Sequence, residues 1–425
     1  MHTKPGFART STYMHDLFEK IQPRDFVIKL WDGTSLSSDN GNAPRFSLVV
    51  QNPGALKTLL LQPKELSLGE AYIYNDVDIE GELEEALGLA GRLAASRLPF
   101  LQRLGVLAHI LRFPSTPHEQ IGRQAANLSG RRHSIQRDRQ AVSYHYNVSN
   151  DFYRLWLDRR MVYSTAYFVD PGDSLDAAQE RKLDYICRKL RLKKGDSLLD
   201  IGCGWGGLIM HAARRFGVKC LGITLSQPQV ELANERIRSK GLSDCCRVEE
   251  KDYRDVDTPG IFDKLVSVGM FEHVGASRLP EYFRKAWRLL RPGGLFLNHG
   301  IAQTTAEPKR KTASFSDRYV FPDSEVLPVS TTLRVAEEVG FEIRDVESLR
   351  EHYVLTLRSW VKRLEAHYEE AVRLTDEATY RIWRLYMSAS AQRFASGRLN
   401  VYQALMVKPD AGRSGLPLTR ADWYA

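Results

Sequence analysis

Leu198-Leu-Asp-Ile-Gly-Cys-Gly-Trp-Gly-Gly207 constrains the fold more than any other segment. Apolar residues lead into an acid, then a glycine-rich turn, then helical spacing of Leu208, Ile209, Ala212, Ala213 and Phe216. That order predicts strand, turn and helix, the opening unit of a doubly wound α/β sheet whose ligand lies at the strand's carboxyl end. Gly202, Gly204 and Gly206 let the backbone approach a ligand where a Cβ would collide. The Asp-x-Gly-x-Gly-x-Gly spacing is tighter than a dinucleotide fingerprint. No Gly-Lys-Ser/Thr follows it, which excludes a P-loop. The same residues also suit a turn that only joins packed elements.

A chain of 425 residues predicts two domains, or one with large additions. Hydrophobic residues make up 43%, ample for a core, while a mean hydropathy of −0.36 and no long apolar run argue against a membrane span. The start, with His2, Lys4 and Arg9, lacks the apolar stretch of a secretory signal. None of the five cysteines (Cys187, Cys203, Cys220, Cys245, Cys246) forms a Cys-x-x-Cys pair, so neither zinc nor a disulfide framework is expected. A reducing cytoplasm fits that usage.

The net charge of +8 calls for a partner. No nucleic-acid module is readable, and the basic residues concentrate only in Arg123, Arg131, Arg132, Arg137 and Arg139, with Asp138 the single acid among them. As a bare charge run this is a solvated linker; it also offers docking to an anionic membrane surface.

Short strands are expected at Phe26–Trp31, Phe46–Val50 and Val77–Glu80, with helices from Pro53 and around Leu68–Tyr72, making a small α+β domain over residues 1–96. Residues 97–140 read as a helical basic linker, including a leucine-striped helix over Leu98–Phe113. A larger α/β domain is expected over 141–425, with strands at Ser197–Ile201, Lys219–Thr224, Arg247–Lys251, Lys264–Val268, Leu295–His299 and Gly340–Glu347. Helical patterns dominate after Leu355.

Around the glycine turn stand Tyr144-His-Tyr-Asn-Val-Ser-Asn-Asp-Phe-Tyr153, Met161-Val-Tyr-Ser-Thr-Ala-Tyr-Phe168 and Gly222-Ile-Thr-Leu-Ser-Gln-Pro-Gln229. Lys251-Asp-Tyr-Arg254, Ser267-Val-Gly-Met-Phe-Glu-His-Val-Gly275, Leu290-Arg-Pro-Gly-Gly294, Asn298-His-Gly-Ile301 and Tyr319-Val-Phe-Pro322 follow. The turn resembles the S-adenosylmethionine site of Rossmann-like methyltransferases. In this order the whole set resembles the cyclopropane-fatty-acid synthase family, which includes the mycolic acid methyltransferases. The resemblance spans about Ala141 to Lys408. It implies a Rossmann-like class I methyltransferase domain with helical additions, behind a small lipid-associated α+β domain.

The resemblance implies transfer of the cofactor's methyl to the cis double bond of an unsaturated phospholipid acyl chain. An alkene is a weak nucleophile, so it must be aligned and kept dry. The resulting carbocation suits aromatic faces. Loss of a proton from the new methyl closes a cyclopropane; loss from a chain carbon gives a methyl branch beside a double bond, and a hydride shift before the loss gives a methylene branch. The family's base is a bound bicarbonate, which carries over to Thr165, Glu272, His299, Ile301 and Tyr353, with Ile301 able to offer only its backbone N–H. The cofactor set carries over to Tyr163, Ser164, Gly202, Gly204, Trp205, Thr224, Leu225, Gln229, Asp252 and Tyr253.

Thr165 departs from the family's Tyr-Ser-Cys-Ala-Tyr, which puts the product in question more than the reaction class. A fatty-acid C-methyltransferase, a non-catalytic lipid-binding protein and a small-molecule methyltransferase remain alternatives. The resemblance further implies a cytoplasmic enzyme, peripheral at the inner membrane face, and a homodimer.

Overall fold

The computed structural model describes residues 25–36, 43–55, 64–88, 121–306 and 313–424. The helix expected over Leu98–Phe113 lies outside the described residues, as does most of the one expected from Pro53. The chain divides into two compact units, the first comprising residues 1–124, 312–315 and 376–392, the second the remainder.

In the first unit, β1 (Phe26–Leu30), β2 (Ser35–Leu36), β3 (Phe46–Val50) and β4 (Val77–Gly81) form a sheet of order β2-β1-β3-β4. β1 and β3 run parallel, which the intervening chain permits, and the other pairs are antiparallel. Phe26, Ile28, Leu30, Phe46 and Val50 alternate inward and build its core with Ala71 and Val77. α1 (Glu65–Ile73) precedes β4.

The second unit opens with α2 (Ile135–Tyr146), α3 (Asn150–Trp156) and α4 (Leu175–Lys189), each begun by a serine whose hydroxyl accepts a first-turn N–H. Its seven-stranded sheet has the order β10-β11-β9-β8-β5-β6-β7. The parallel strands are β5 (Ser197–Ile201), β6 (Lys219–Thr224), β7 (Cys246–Glu250), β8 (Phe262–Val268) and β9 (Leu290–Gln303). α5 (Gly207–Phe216) and α6 (Gln227–Ser239) cross between β5, β6 and β7, and α7 (Leu279–Leu289) leads into β9. Strand order reverses at β5, so a crevice opens beyond its carboxyl end.

β5 and β6 start and stop where the sequence places them. One expectation fails. After Leu355 the helical reading holds for α8 (Arg350–Ala366), but Leu399–Val407 is a nine-residue strand, β11, antiparallel to β9 and to β10 (Glu342–Ser348). Covered on both faces, β11 carries a near-continuous apolar run, which periodicity cannot tell from a buried helix. Among the described residues, no helix is long and apolar enough to cross a membrane.

Candidate active site

The turn after β5 bends through left-handed backbone at Gly202 (φ +86°) and Gly204 (φ +53°). A Cβ on Gly202 would stand 2.6 Å from the Met270 Cβ, so that glycine is required by packing. A Cβ on Gly204 meets no protein atom within 4 Å. It would enter the crevice instead, a cavity of about 1140 Å³ counted with its open mouth.

Every residue expected at the cofactor lines this cavity: Tyr163, Ser164, Gly202, Gly204, Trp205, Thr224, Leu225, Gln229, Asp252 and Tyr253. The surrounding motifs hold them. Asn150 accepts from the Trp205 indole at 2.7 Å, and Asn147 accepts from Ser226 Oγ at 2.8 Å. Thr224 Oγ1 donates to Gln229 Oε1 at 2.7 Å, fixing the end of β6. Asp252 is clamped by Arg254, whose Nη2 also donates to Asp138. Cavity residues that the sequence reading did not assign include Lys182, Asp200 and His273. Burial, aided by His133 nearby, pushes the His273 imidazole down to about 4, so it is neutral at physiological pH.

Among the described residues, the expected catalytic set does not line this cavity; Met270 and His273, on either side of Glu272, do. Glu272 Oε1 accepts the Ile301 N–H at 2.6 Å, so the N–H expected to face an anion instead orients the carboxyl group. His299 and Ile301, two apart on β9, share a face of the sheet. Gln403 Nε2 lies 3.2 Å from His299 Nδ1. An amide nitrogen only donates, so the imidazole proton sits on Nε2.

Glu272 Oε2 and His299 Nε2 are both buried and have no hydrogen-bond partner among the described residues. Burial raises the Glu272 carboxyl to about 7, partly opposed by the Ile301 N–H, and drives His299 well below the usual imidazole range. At neutral pH the site therefore holds a carboxyl that carries a proton in much of the population and a neutral imidazole with Nε2–H. Two unpartnered donors in one dry region fit a small oxyanion.

Thr165 and Tyr353 belong to a second group, at α8. Thr165 is fully buried and its hydroxyl donates to the Ala166 carbonyl at 3.3 Å. The Ala166 N–H donates to Thr356 Oγ1 at 2.9 Å, placing this segment one turn from Tyr353. Aromatic rings connect the two ends of the site. Tyr163 has Tyr153, Trp156 and Trp360 within 5.7 Å between ring centres; Trp360 lies 6.0 Å from Tyr353, which packs 4.7 Å from Phe394.

The basic run expected to dock on membranes is largely paired within the protein. Arg137 Nε meets Asp323 at 2.5 Å, Arg132 meets Asp323 and Glu325, and Arg139 lies 3.8 Å from Glu250.

An open sheet of this order, with a glycine turn at its switch point and polar loops around the crevice, defines a class I S-adenosylmethionine-dependent methyltransferase. The chain belongs to the mycolic acid cyclopropane synthetase family, whose model matches residues 133–404. Residues 13–99 match a second model, described as a domain of unknown function. The chain is 42% identical to a probable fatty acid methyltransferase of Pseudomonas putida, covering 93% of this chain and 95% of that protein. It is 35% identical to the cyclopropane-fatty-acyl-phospholipid synthase of Escherichia coli, over 61% of this chain and 66% of that one. The crystal structure of mycolic acid cyclopropane synthase CmaA1 complexed with SAH and CTAB matches with a TM-score of 0.59 and 32% identity, covering 63% of this chain and 97% of that one.

Proposed function

We propose that this protein methylates the cis double bond of unsaturated phospholipid acyl chains at the cytoplasmic face of the membrane, closing a cyclopropane ring with bicarbonate as base. The observation that carries this reading is the pair of buried atoms without a partner among the described residues, Glu272 Oε2 and His299 Nε2, tied together through β9 by the Ile301 N–H. S-adenosylmethionine, when bound, supplies an electrophilic sulfonium methyl, and Gly204 lets it approach the turn. Bicarbonate, when bound, supplies a base stronger than a neutral carboxyl. Glu272 and His299 would donate hydrogen bonds to that oxyanion, Ile301 would orient Glu272, and Tyr353 would complete the holder. Thr165, as deeply buried as His299, would add its backbone N–H or its hydroxyl to that holder. The faces of Tyr163, Trp360 and Tyr353 would stabilise positive charge on the chain, each such contact worth about 0.5–2 kcal/mol.

A second reading, a methylene- or methyl-branched product, is favoured by the near full-length match to a probable fatty acid methyltransferase. Both readings require the same anion site. Turnover on vesicles of cis-unsaturated phospholipid, measured in carbonate-free buffer and again after bicarbonate is restored, tests it. Restored activity supports the bicarbonate site, and equal rates in both buffers refute it.

A further inference from the structure

Lys182 lies on α4 in line with Leu175, Ala178, Gln179 and Ile186, a stripe that is otherwise the buried face of the helix. The side chain is 1% exposed. Burying an ammonium costs several kcal/mol unless its charge and protons are satisfied. Here one proton goes to Ser164 Oγ at 2.8 Å. The charged neighbours are Asp158 and Asp200. Asp158 already accepts the N–H groups of Arg160 and Val162, at 2.9 and 2.8 Å. Asp200 keeps Oδ1 buried with no hydrogen-bond partner among the described residues. Gln179, one turn before Lys182, donates to the Ser164 carbonyl at 2.8 Å, so Ser164 is gripped from both ends by α4. Lys182, Ser164, Asp200 and Gly202 all line the same cavity.

A fixed ammonium with protons to spare, beside a carboxylate with an open oxygen, matches a zwitterion better than a lone anion or cation. The amino-acid end of the cofactor is such a zwitterion, and the pair shares its cavity with Gly202 and Gly204 of the glycine turn. We propose that Lys182 binds the α-carboxylate of S-adenosylmethionine and thereby selects cofactors that carry an intact amino-acid end. This rests on the methyltransferase reading. Ser164 acts through the same contact by fixing the ammonium. The lowered proton affinity of Lys182, caused first by burial, agrees with a site completed by an incoming negative charge.

The test is calorimetry on the full chain with S-adenosylhomocysteine and with its decarboxylated analogue. A buried charge-assisted hydrogen bond predicts that the wild type prefers the carboxylate-bearing ligand by about ten- to a hundredfold. Lys182→Met should lose that preference, with affinity for the decarboxylated analogue unchanged. Equal affinity of the wild type for both ligands overturns the proposal, as does a Lys182→Met loss that is the same for both. Where Lys182→Met does not fold, Lys182→Gln is measured in its place and should lose the same preference. Wild-type protein that binds neither ligand refutes the methyltransferase reading itself.

Discussion

Glu272→Gln separates the catalytic from the structural contribution of the buried carboxyl. Glutamine keeps the volume and an oxygen to accept the Ile301 N–H, and it removes the titrating group. In the native protein this carboxyl titrates at about 7 against 4.5 for a free one. The native state therefore holds a proton that the unfolded chain has released, and wild-type stability must fall as pH rises from about 4.5 to 7. At 1.36 kcal/mol per unit, the loss levels off at roughly 3 kcal/mol above pH 7. Glutamine carries no such penalty. The variant should match wild type near pH 4.5 and exceed it by up to about 3 kcal/mol near pH 8, while losing most turnover and keeping cofactor affinity. Urea unfolding across that pH range, with methyl transfer measured alongside, reads both effects. A variant with unchanged turnover, or one no more stable than wild type at pH 8, refutes the reasoning.

Gly204→Val should cost about 1–2 kcal/mol through its left-handed backbone but clash with no described atom, and it should lose S-adenosylmethionine binding in calorimetry because the side chain fills the crevice. Gly300→Ala should destabilise by about 1–3 kcal/mol in denaturant melts, since its Cβ runs into the buried Phe271 ring beside Glu272. Vesicle sedimentation should be stronger on anionic than on zwitterionic lipid and weaken with salt. Arg137→Gln should lower the melting temperature, through loss of the Asp323, Leu128 and Gly130 contacts, more than it lowers that sedimentation.

What the sequence made legible follows from range. The glycine turn and the strands beside it are local signals, and β5 and β6 stand where periodicity puts them. Motif resemblance grouped residues from Tyr163 to Tyr253, and these line one cavity. Pairings between distant segments were not legible. Arg137 and Asp323 lie 186 residues apart, so the arginines read as a free basic run. Ile301 likewise gave no sign that its N–H would be taken by Glu272, 29 residues earlier. β11 was hidden because a strand buried on both faces loses its alternation. Lys182 did leave a trace, a lysine at an apolar-stripe position of an amphipathic helix, which reads as a solvated charge until the fold shows what it faces.

The central claim is transfer of a one-carbon unit to an acyl double bond. The purified protein is incubated with isotopically methyl-labelled S-adenosylmethionine and vesicles of cis-unsaturated phospholipid, and the released fatty acids are analysed by mass spectrometry before and after catalytic hydrogenation under mild conditions. Cyclopropane formation predicts label in the acyl chain as one added CH2, with the product no longer taking up hydrogen at the former double bond. An added CH2 that still takes up hydrogen supports the branched-chain reading instead, and label that never enters the acyl chain contradicts the account.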